Sequence, residues 1–503
     1  MRSLLLGILA VILLLLGVIA VRTLMVPAPV ETTSTQPPAS SFDAQAIATR
    51  LSQAVKLRTI SWQDGAKPED IAASQLAFVA MREWIATTYP QISKAASQEI
   101  INDYSLLYTW KGSDPSLKPI LLMSHMDVVP IAPGSDKDWT HEPFSGDIAD
   151  GYIWGRGTMD TKAGIIGILE AAEALAAKNY QPKRTIMFSF GHDEEKGGHQ
   201  GNKKISSLLA ERQTKLEFVI DEGGLIATGV IPGITVPVAM IGVAEKGSVT
   251  LELTSHSEGG HSSLPLPVPE TAIGRLARAI GRVGDAPFES HIDGIARDQL
   301  TQLMPNMPLA QRVPIANLWL FEPLVVSSMN AKPGSGASLH TTIAPTIISG
   351  GNKENVLPPD ATALINFRVH PRDTIESLTQ HVKEAIDDDK VDVKVRPGGR
   401  NASPISDVTG PQFAFIKRAL QKIAPNAIVA PNLLSAGTDS RYYQPMTDNV
   451  FRMVPMLLSA DDLKGFHGTN ERVPVKSMSL IADFFTSLMT EYDNEKAASP
   501  VAP

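Results

Sequence analysis

Cysteine is missing from all 503 residues. That absence excludes disulfides and thiolate zinc sites, so any metal must be held by His, Asp or Glu. Positive charge is also in short supply. Forty-five Lys and Arg stand against 53 Asp and Glu, for a net charge of -8 and a pI near 5.8. With no long basic run either, no nucleic-acid partner is expected. No internal repeat occurs. Long hydrophobic runs are lacking with one exception, Leu4 to Val21, flanked by Arg2 and Arg22. Its 18 residues reach the lower end of a membrane-spanning helix, and a long signal peptide has the same form. No small-x-small cleavage site follows it, since GVIAVRTLM is bulky. We therefore expect residues 1–25 to be an anchor that stays in the membrane. By analogy with signal anchors, the rest of the chain would lie outside the cytoplasm, in a periplasmic, vacuolar or extracellular space.

A chain of this length exceeds one ordinary core. Residues 26–41, rich in Pro, Ser and Thr, suggest a flexible tether, and 493–503 a loose tail. From Phe42 onward, strand and helix patterns alternate. Pro119 to Met126, Thr185 to Phe190 and Leu216 to Ile220 suggest buried strands. Ala46 to Leu57 and Thr161 to Lys178 suggest helices, the second with Ile165, Ile168, Leu169, Ala172 and Leu175 on one face. Such alternation predicts an α/β domain with a mostly parallel sheet flanked by helices, its chemistry at the carboxyl ends of strands. Near Gly247 the pattern changes. Residues 247–400 suggest an inserted α/β unit with strands at 248–254, 361–369 and 391–395, and a long irregular stretch at 287–349. Residues 401–492 then return to the first domain, 42–246.

Polar residues gather where the apolar runs end. In LLMSHMDVVP, His125 and Asp127 are two apart and share one face of a strand. A carboxylate beside an imidazole fixes its tautomer and suits a metal ligand, although two polar residues can simply close a strand. Asp160 in GRGTMDTKAG precedes a predicted helix and has an alternative reading as an N-cap. Glu194 and Glu195 in GHDEEKGG repel each other and need a compensating charge or solvent. FVIDEGG puts Asp221 and Glu222 at another strand end, and GFHGTNE sets His467 between glycines, where a surface histidine is the ordinary case. Two histidines with several carboxylates and no thiol match a hydrolytic zinc or cobalt site, with ligands enough for two metals.

In order and spacing, SHMDVVP, GRGTMDTKAG, GHDEE, DEGG, GGHSS and HGTNE resemble the motifs of the dizinc aminoacylase and carboxypeptidase family, peptidase family M20. The resemblance runs from about Phe42 to Tyr492. WGRGTMD, EKGS, NFRVHP, WLFEP and GTDSR are most similar to two branches, the carboxypeptidase S type and the N-fatty-acyl-amino acid synthase/hydrolase type. The resemblance implies a catalytic domain at 42–246 and 401–492 and a lid, or dimerisation domain, at 247–400. It implies two Zn2+, with Co2+ or Mn2+ as substitutes. His125 would serve one metal, His467 and Glu195 the other, with Asp160 bridging. Either Asp221 or Glu222 completes the His125 side, because neighbours on a strand face opposite ways, and the resemblance favours Glu222, which directly precedes the small turn residues. Asp127 would orient His125, and Glu194 would be the general base, passing the proton of the attacking water to the leaving amine. His261 in GGHSS would reach the oxyanion, in many relatives from a partner subunit, so a homodimer is expected. Arg368, Asn355 and Arg441 resemble groups that hold a substrate carboxylate, a task suited to the guanidinium fork.

The implied reaction is hydrolysis of an amide next to a free α-carboxylate, on a peptide or an N-acyl amino acid, and its reversal uses the same site. The apolar stretch WLFEPLVVSSM lies in an insert larger than the family's minimal lid. It suits an acyl-chain pocket, an edge cover, a dimer contact or plain core. Two other readings differ in class. One is a metal-stabilised binding module without catalysis, which the presence of Glu194 disfavours. The other is a tethered scaffold recruiting a partner through an exposed apolar insert.

Overall fold

The computed structural model describes residues 2–29, 39–63 and 65–493. Most of the expected tether and tail lie outside the described residues. The chain opens with α1 (Arg2–Leu24), the apolar run noted above. Strands β1 (Ser105–Trp110) and β2 (Ile120–His125) lead to α2 (Ala163–Ala177). Then come β3 (Ile186–Gly191), β4 (Phe218–Asp221), β5 (Val238–Glu245) and β6 (Gly247–His256). Four helices follow: α3 (Ala272–Asp285), α4 (Gly294–Leu303), α5 (Leu309–Ala316) and α6 (Leu318–Asn330). Next are β7 (Thr342–Gly350), β8 (Asp360–Val369), α7 (Ile375–Ile386) and β9 (Val391–Val395). The chain closes with β10 (Ile428–Leu434), β11 (Val450–Arg452) and α8 (Val475–Thr490).

Neighbours β1, β3, β2, β4, β11 and β5 form the middle of a ten-stranded sheet, and β10 pairs with β5. β2 is parallel to β3 and β4, β11 to β4, and β10 to β5. Every residue of β2, β3 and β4 is buried, as expected of strands covered on both faces. Helix α2 is buried at each position from Ala163 to Ala172 and packs between sheet and α8. Gly167 permits the close approach, because a Cβ there would meet Ile481 Cγ2 at 2.2 Å. The helix starts two residues later than the sequence suggests. Asp160 (φ −119°, ψ 84°) and Thr161 (φ −144°, ψ 37°) have non-helical backbones, and Asp160 makes no capping hydrogen bond, so it is not an N-cap. The peptide between them is cis.

A second, antiparallel sheet has the order β7-β8-β6-β9, with α3 and α7 packed on it. Its core holds Val249, Leu251, Leu276, Phe367, Leu378 and Val382. The stretch 287–349 is not irregular as expected. It contains α4, α5 and α6, whose interior Pro314 and Pro323 hide the helical pattern. These helices share a core with the large sheet: Ile292, Ala296, Leu300, Leu303 and Val325 pack with Val236, Val238, Ile428 and Ala430. The range 247–400 thus contributes to two cores, one under the small sheet and one against β5 and β10.

Candidate active site

His125 is the last residue of β2, Glu194 and Glu195 follow the end of β3, and Glu222 follows the end of β4. Three parallel strands thereby deliver their polar groups to one edge of the sheet. Asp160 and His467 arrive from loops. His125 Nε2 lies 3.1 Å from Asp160 Oδ1 and 3.1 Å from Glu222 Oε1. His467 Nε2 lies 2.9 Å from Asp160 Oδ2 and 3.3 Å from Glu195 Oε2. Each oxygen of one aspartate therefore faces a different imidazole, as a bridging carboxylate would. Glu194 offers an oxygen within 4.8 Å of ligand atoms of His125 and Glu222.

The supports define what the cluster can hold. His125 Nδ1 is 2.9 Å from the Asp127 carbonyl oxygen and 3.3 Å from Asp127 Oδ1. Nδ1 donates there, which leaves Nε2 facing two carboxylates. Carboxylates gathered around one nitrogen need a positive charge between them, either a proton on the ring or a bound cation. Asp127 does more than orient a ring. Its oxygens accept the backbone N–H groups of Glu194 and Glu195, each at 3.1 Å, and the Ser61 hydroxyl at 2.6 Å. Asp221, the other candidate at the DEGG turn, is turned away from the cluster and accepts the Ser440 N–H at 2.9 Å. Glu222 is the one that faces His125.

Burial pushes Glu222 up to about 8 against the pull of His125, with Asp160 adding repulsion. Burial raises Glu194 well above the usual carboxylate range, partly offset by His125 and reinforced by Asp439, Glu222 and Glu195. Glu195 is raised mainly by burial, and its Oε1 is buried without a hydrogen-bond partner. Asp160 is held low despite its burial, because hydrogen bonds from both imidazoles favour its charged form. Four crowded carboxylates, two inward-facing imidazole nitrogens and an orphaned oxygen are the donor set of a divalent-cation site, and these residues fit one.

Sequence reasoning missed the group that shapes the bridge. Glu471 is wholly buried, accepts the N–H groups of Met159 at 2.8 Å and Asp160 at 3.2 Å, and pairs with Arg156 at 2.6 Å. Its position in HGTNER, four residues after His467, was the available signal.

The remaining candidates lie elsewhere. His261 is exposed on a short ribbon, Gly260–His261 against Val356–Leu357, where its Nδ1 accepts from Ser263. Asn355 adjoins it, its carbonyl accepting from Ser262. Neither lines the cavity that contains Asp160, Glu194, Glu195, Glu222 and His467. Arg368 is an exposed residue of β8. Arg441 is engaged with backbone, donating to the carbonyls of Thr438 at 2.6 Å and Gly197 at 2.7 Å. Arg400, not singled out from the sequence, donates to the Lys246 carbonyl at 3.2 Å and sits against Gly437, a cavity-lining residue. The cavity measures about 1160 Å³ and runs on to Leu300, Leu303, Met307, Ile315, Val325 and Met329.

Comparison with known proteins identifies the family. The profile of peptidase family M20/M25/M40 matches residues 121–491. The probable carboxypeptidase S-like 2 of Dictyostelium discoideum is 38% identical over 450 residues, covering 88% of this chain and 84% of the relative. An N-fatty-acyl-amino acid synthase/hydrolase of Xenopus tropicalis is 36% identical, covering 90% and 86%. Carboxypeptidase S of Saccharomyces cerevisiae is 30% identical, covering 85% and 80%. Human carnosine dipeptidase 1 shares the fold, with a TM-score of 0.62 at 14% identity, covering 90% of this chain and 96% of that one. Motifs, cluster and relatives agree: this chain belongs to peptidase family M20/M25/M40, a family of metal-dependent hydrolases of amide bonds.

Proposed function

We propose that the chain hydrolyses the amide of N-acyl amino acids with long acyl chains, using two divalent cations, Zn2+ in the first instance, with Co2+ or Mn2+ as alternatives. His125, Glu222 and Asp160 would hold one cation; His467, Glu195 and Asp160 the other. When bound, the cations polarise the scissile carbonyl and acidify water. Glu194 accepts the water's proton and returns it to the leaving amine, a role suited to a buried carboxyl with a raised pKa. Arg400, near Arg368 and Arg441, is the cation placed to receive the substrate carboxylate. The observation that carries the acyl substrate is the apolar extension of the cavity along α4, α5 and α6, which a short polar peptide would leave unfilled.

Two assembly features complete the proposal. α1, with a mean hydropathy of 3.3, acts as a retained membrane anchor that holds the body of the protein outside the cytoplasm. A second copy pairs through the lid, which brings His261 to the partner's site.

The test is turnover by zinc-loaded full-length protein of a panel of dipeptides and short- and long-chain N-acyl amino acids, followed by mass spectrometry. Long-chain acyl amino acids should be consumed first, and Glu194→Gln should lower turnover by roughly 10²–10⁴-fold while retaining metal. A preference for dipeptides would make this a carboxypeptidase, the activity named for its Dictyostelium relative. Metal binding without any turnover would favour the binding module.

A further inference from the structure

The helices that close the far end of the cavity also form an outer surface. On α6, Trp319, Leu320 and Leu324 are 51%, 43% and 61% exposed, and Leu309 at the start of α5 is 64% exposed. Leu320, Pro323 and Leu324 recur at i, i+3 and i+4, so they make one exposed stripe. Grouped large apolar side chains of this kind mark a contact surface.

The neighbouring helix identifies the partner. Asn317, between α5 and α6, donates from Nδ2 to Thr23 Oγ1 at 3.2 Å and to the Ile19 carbonyl at 3.4 Å. Arg22 Nε donates to the Ala316 carbonyl at 3.2 Å. Along α1, Leu15, Ile19 and Thr23, four apart, are the covered positions, while most of the helix is exposed. The apolar corner therefore begins where the membrane-spanning candidate ends, and the two surfaces are continuous. An indole at such a boundary suits the headgroup zone of a bilayer. Leu324 is exposed and also lines the cavity, so the cavity has a mouth at this corner.

We propose that the α5–α6 corner is seated in the lipid leaflet from which α1 emerges, and that the cavity mouth at Leu324 admits acyl substrates directly from the bilayer. The inference rests on the reading of α1 as a retained anchor and of the substrate as an acyl amino acid. A substrate entering head first presents its amide to the metal cluster while its tail passes from lipid to the apolar wall. The acyl chain never crosses water.

The test uses full-length protein reconstituted in phosphatidylcholine vesicles. Of the six tryptophans, Trp319 is the exposed one; Trp110, Trp139 and Trp154 are buried, and Trp62 and Trp84 are intermediate. Lipid brominated on its acyl chains should quench part of the wild-type emission, and Trp319→Phe should abolish that part. Equal quenching of both proteins, or of neither, overturns the docking. Protein that fails to float with vesicles overturns anchor and docking together. A second readout compares a vesicle-dissolved long-chain acyl amino acid with a water-soluble N-acetyl amino acid. Trp319→Ser combined with Leu320→Glu, neither a cavity residue, should slow the first about tenfold and leave the second unchanged. An equal effect on both overturns the lateral route. A wild-type protein that is quenched yet hydrolyses neither substrate removes the amidase reading and supports the docking.

Discussion

Asp127 ties together the two functions of the centre. One carboxylate faces the His125 ring and receives the N–H groups of both Glu194 and Glu195, so the proposed ligand, base and second ligand are positioned by a single side chain. Asp127→Asn retains shape but replaces an acceptor with a donor. We expect metal affinity and kcat/KM to fall by roughly 10–100-fold with the fold retained, measured by zinc titration and steady-state kinetics. A second comparison separates the neighbours at the DEGG turn. Glu222→Gln should lower bound metal per chain. Asp221→Asn should leave metal content intact and instead lower the melting temperature, because Asp221 serves the Ser440 backbone. Strand geometry made it legible that only one of these two could face the cluster. Strand geometry alone could not say which, because the partner of Asp221 is Ser440, 219 residues away, and only the resemblance favoured Glu222. Glu471 was overlooked because its place in HGTNER hints at the site but not at its task, which is to accept the backbone N–H groups of Met159 and Asp160 more than 300 residues away.

The strand ends were legible because buried parallel strands are short apolar runs, and every polar interruption stands out against them. Helices α5 and α6 were not, because Pro314 and Pro323 break the periodicity on which helix assignment rests. At the lid, the link from β8 to α7 offers a test by pH. His370 is buried, and its Nδ1 accepts the Arg372 N–H at 3.3 Å, which requires a neutral ring. Burial, with Arg372 and Lys246 nearby, lowers its pKa from 6.5 to about 4. Between those values the unfolded chain binds the extra proton, so stability falls as pH drops from 6.5 towards 4. Thermal unfolding of wild type and His370→Asn should diverge across that window, the variant losing less. The lid also has an open edge. β7 ends its sheet and exposes Ile347 and Ile348 at 58% and 62%. An apolar edge strand invites pairing. Light scattering should find a dimer for the full-length protein in detergent, and Ile347→Lys with Ile348→Lys should give monomers with reduced activity, because His261 would lose its partner.

Across the whole molecule the imidazole–carboxylate cluster is a clasp. Asp160 and Glu195 belong to the first part of the large domain and His467 to the last, and they meet at 2.9 and 3.3 Å. Chelation should therefore reduce stability as well as activity. A ligand present at about 1,000 times its Kd contributes about 4 kcal/mol, so stripped protein should melt several degrees lower and recover with added zinc.

The same clasp has a consequence in time. The Asp160 N–H is received by Glu471, a residue 311 positions further along, and His467 lies just before that residue. A ribosome releases the chain from its N-terminus, so for most of synthesis the first imidazole and its carboxylates have no second imidazole and no braced bridge. The candidate centre is assembled only once residues 467–471 have emerged. On the reading of α1 as an export anchor, the order of residues delays assembly of the centre until most of the chain has been made.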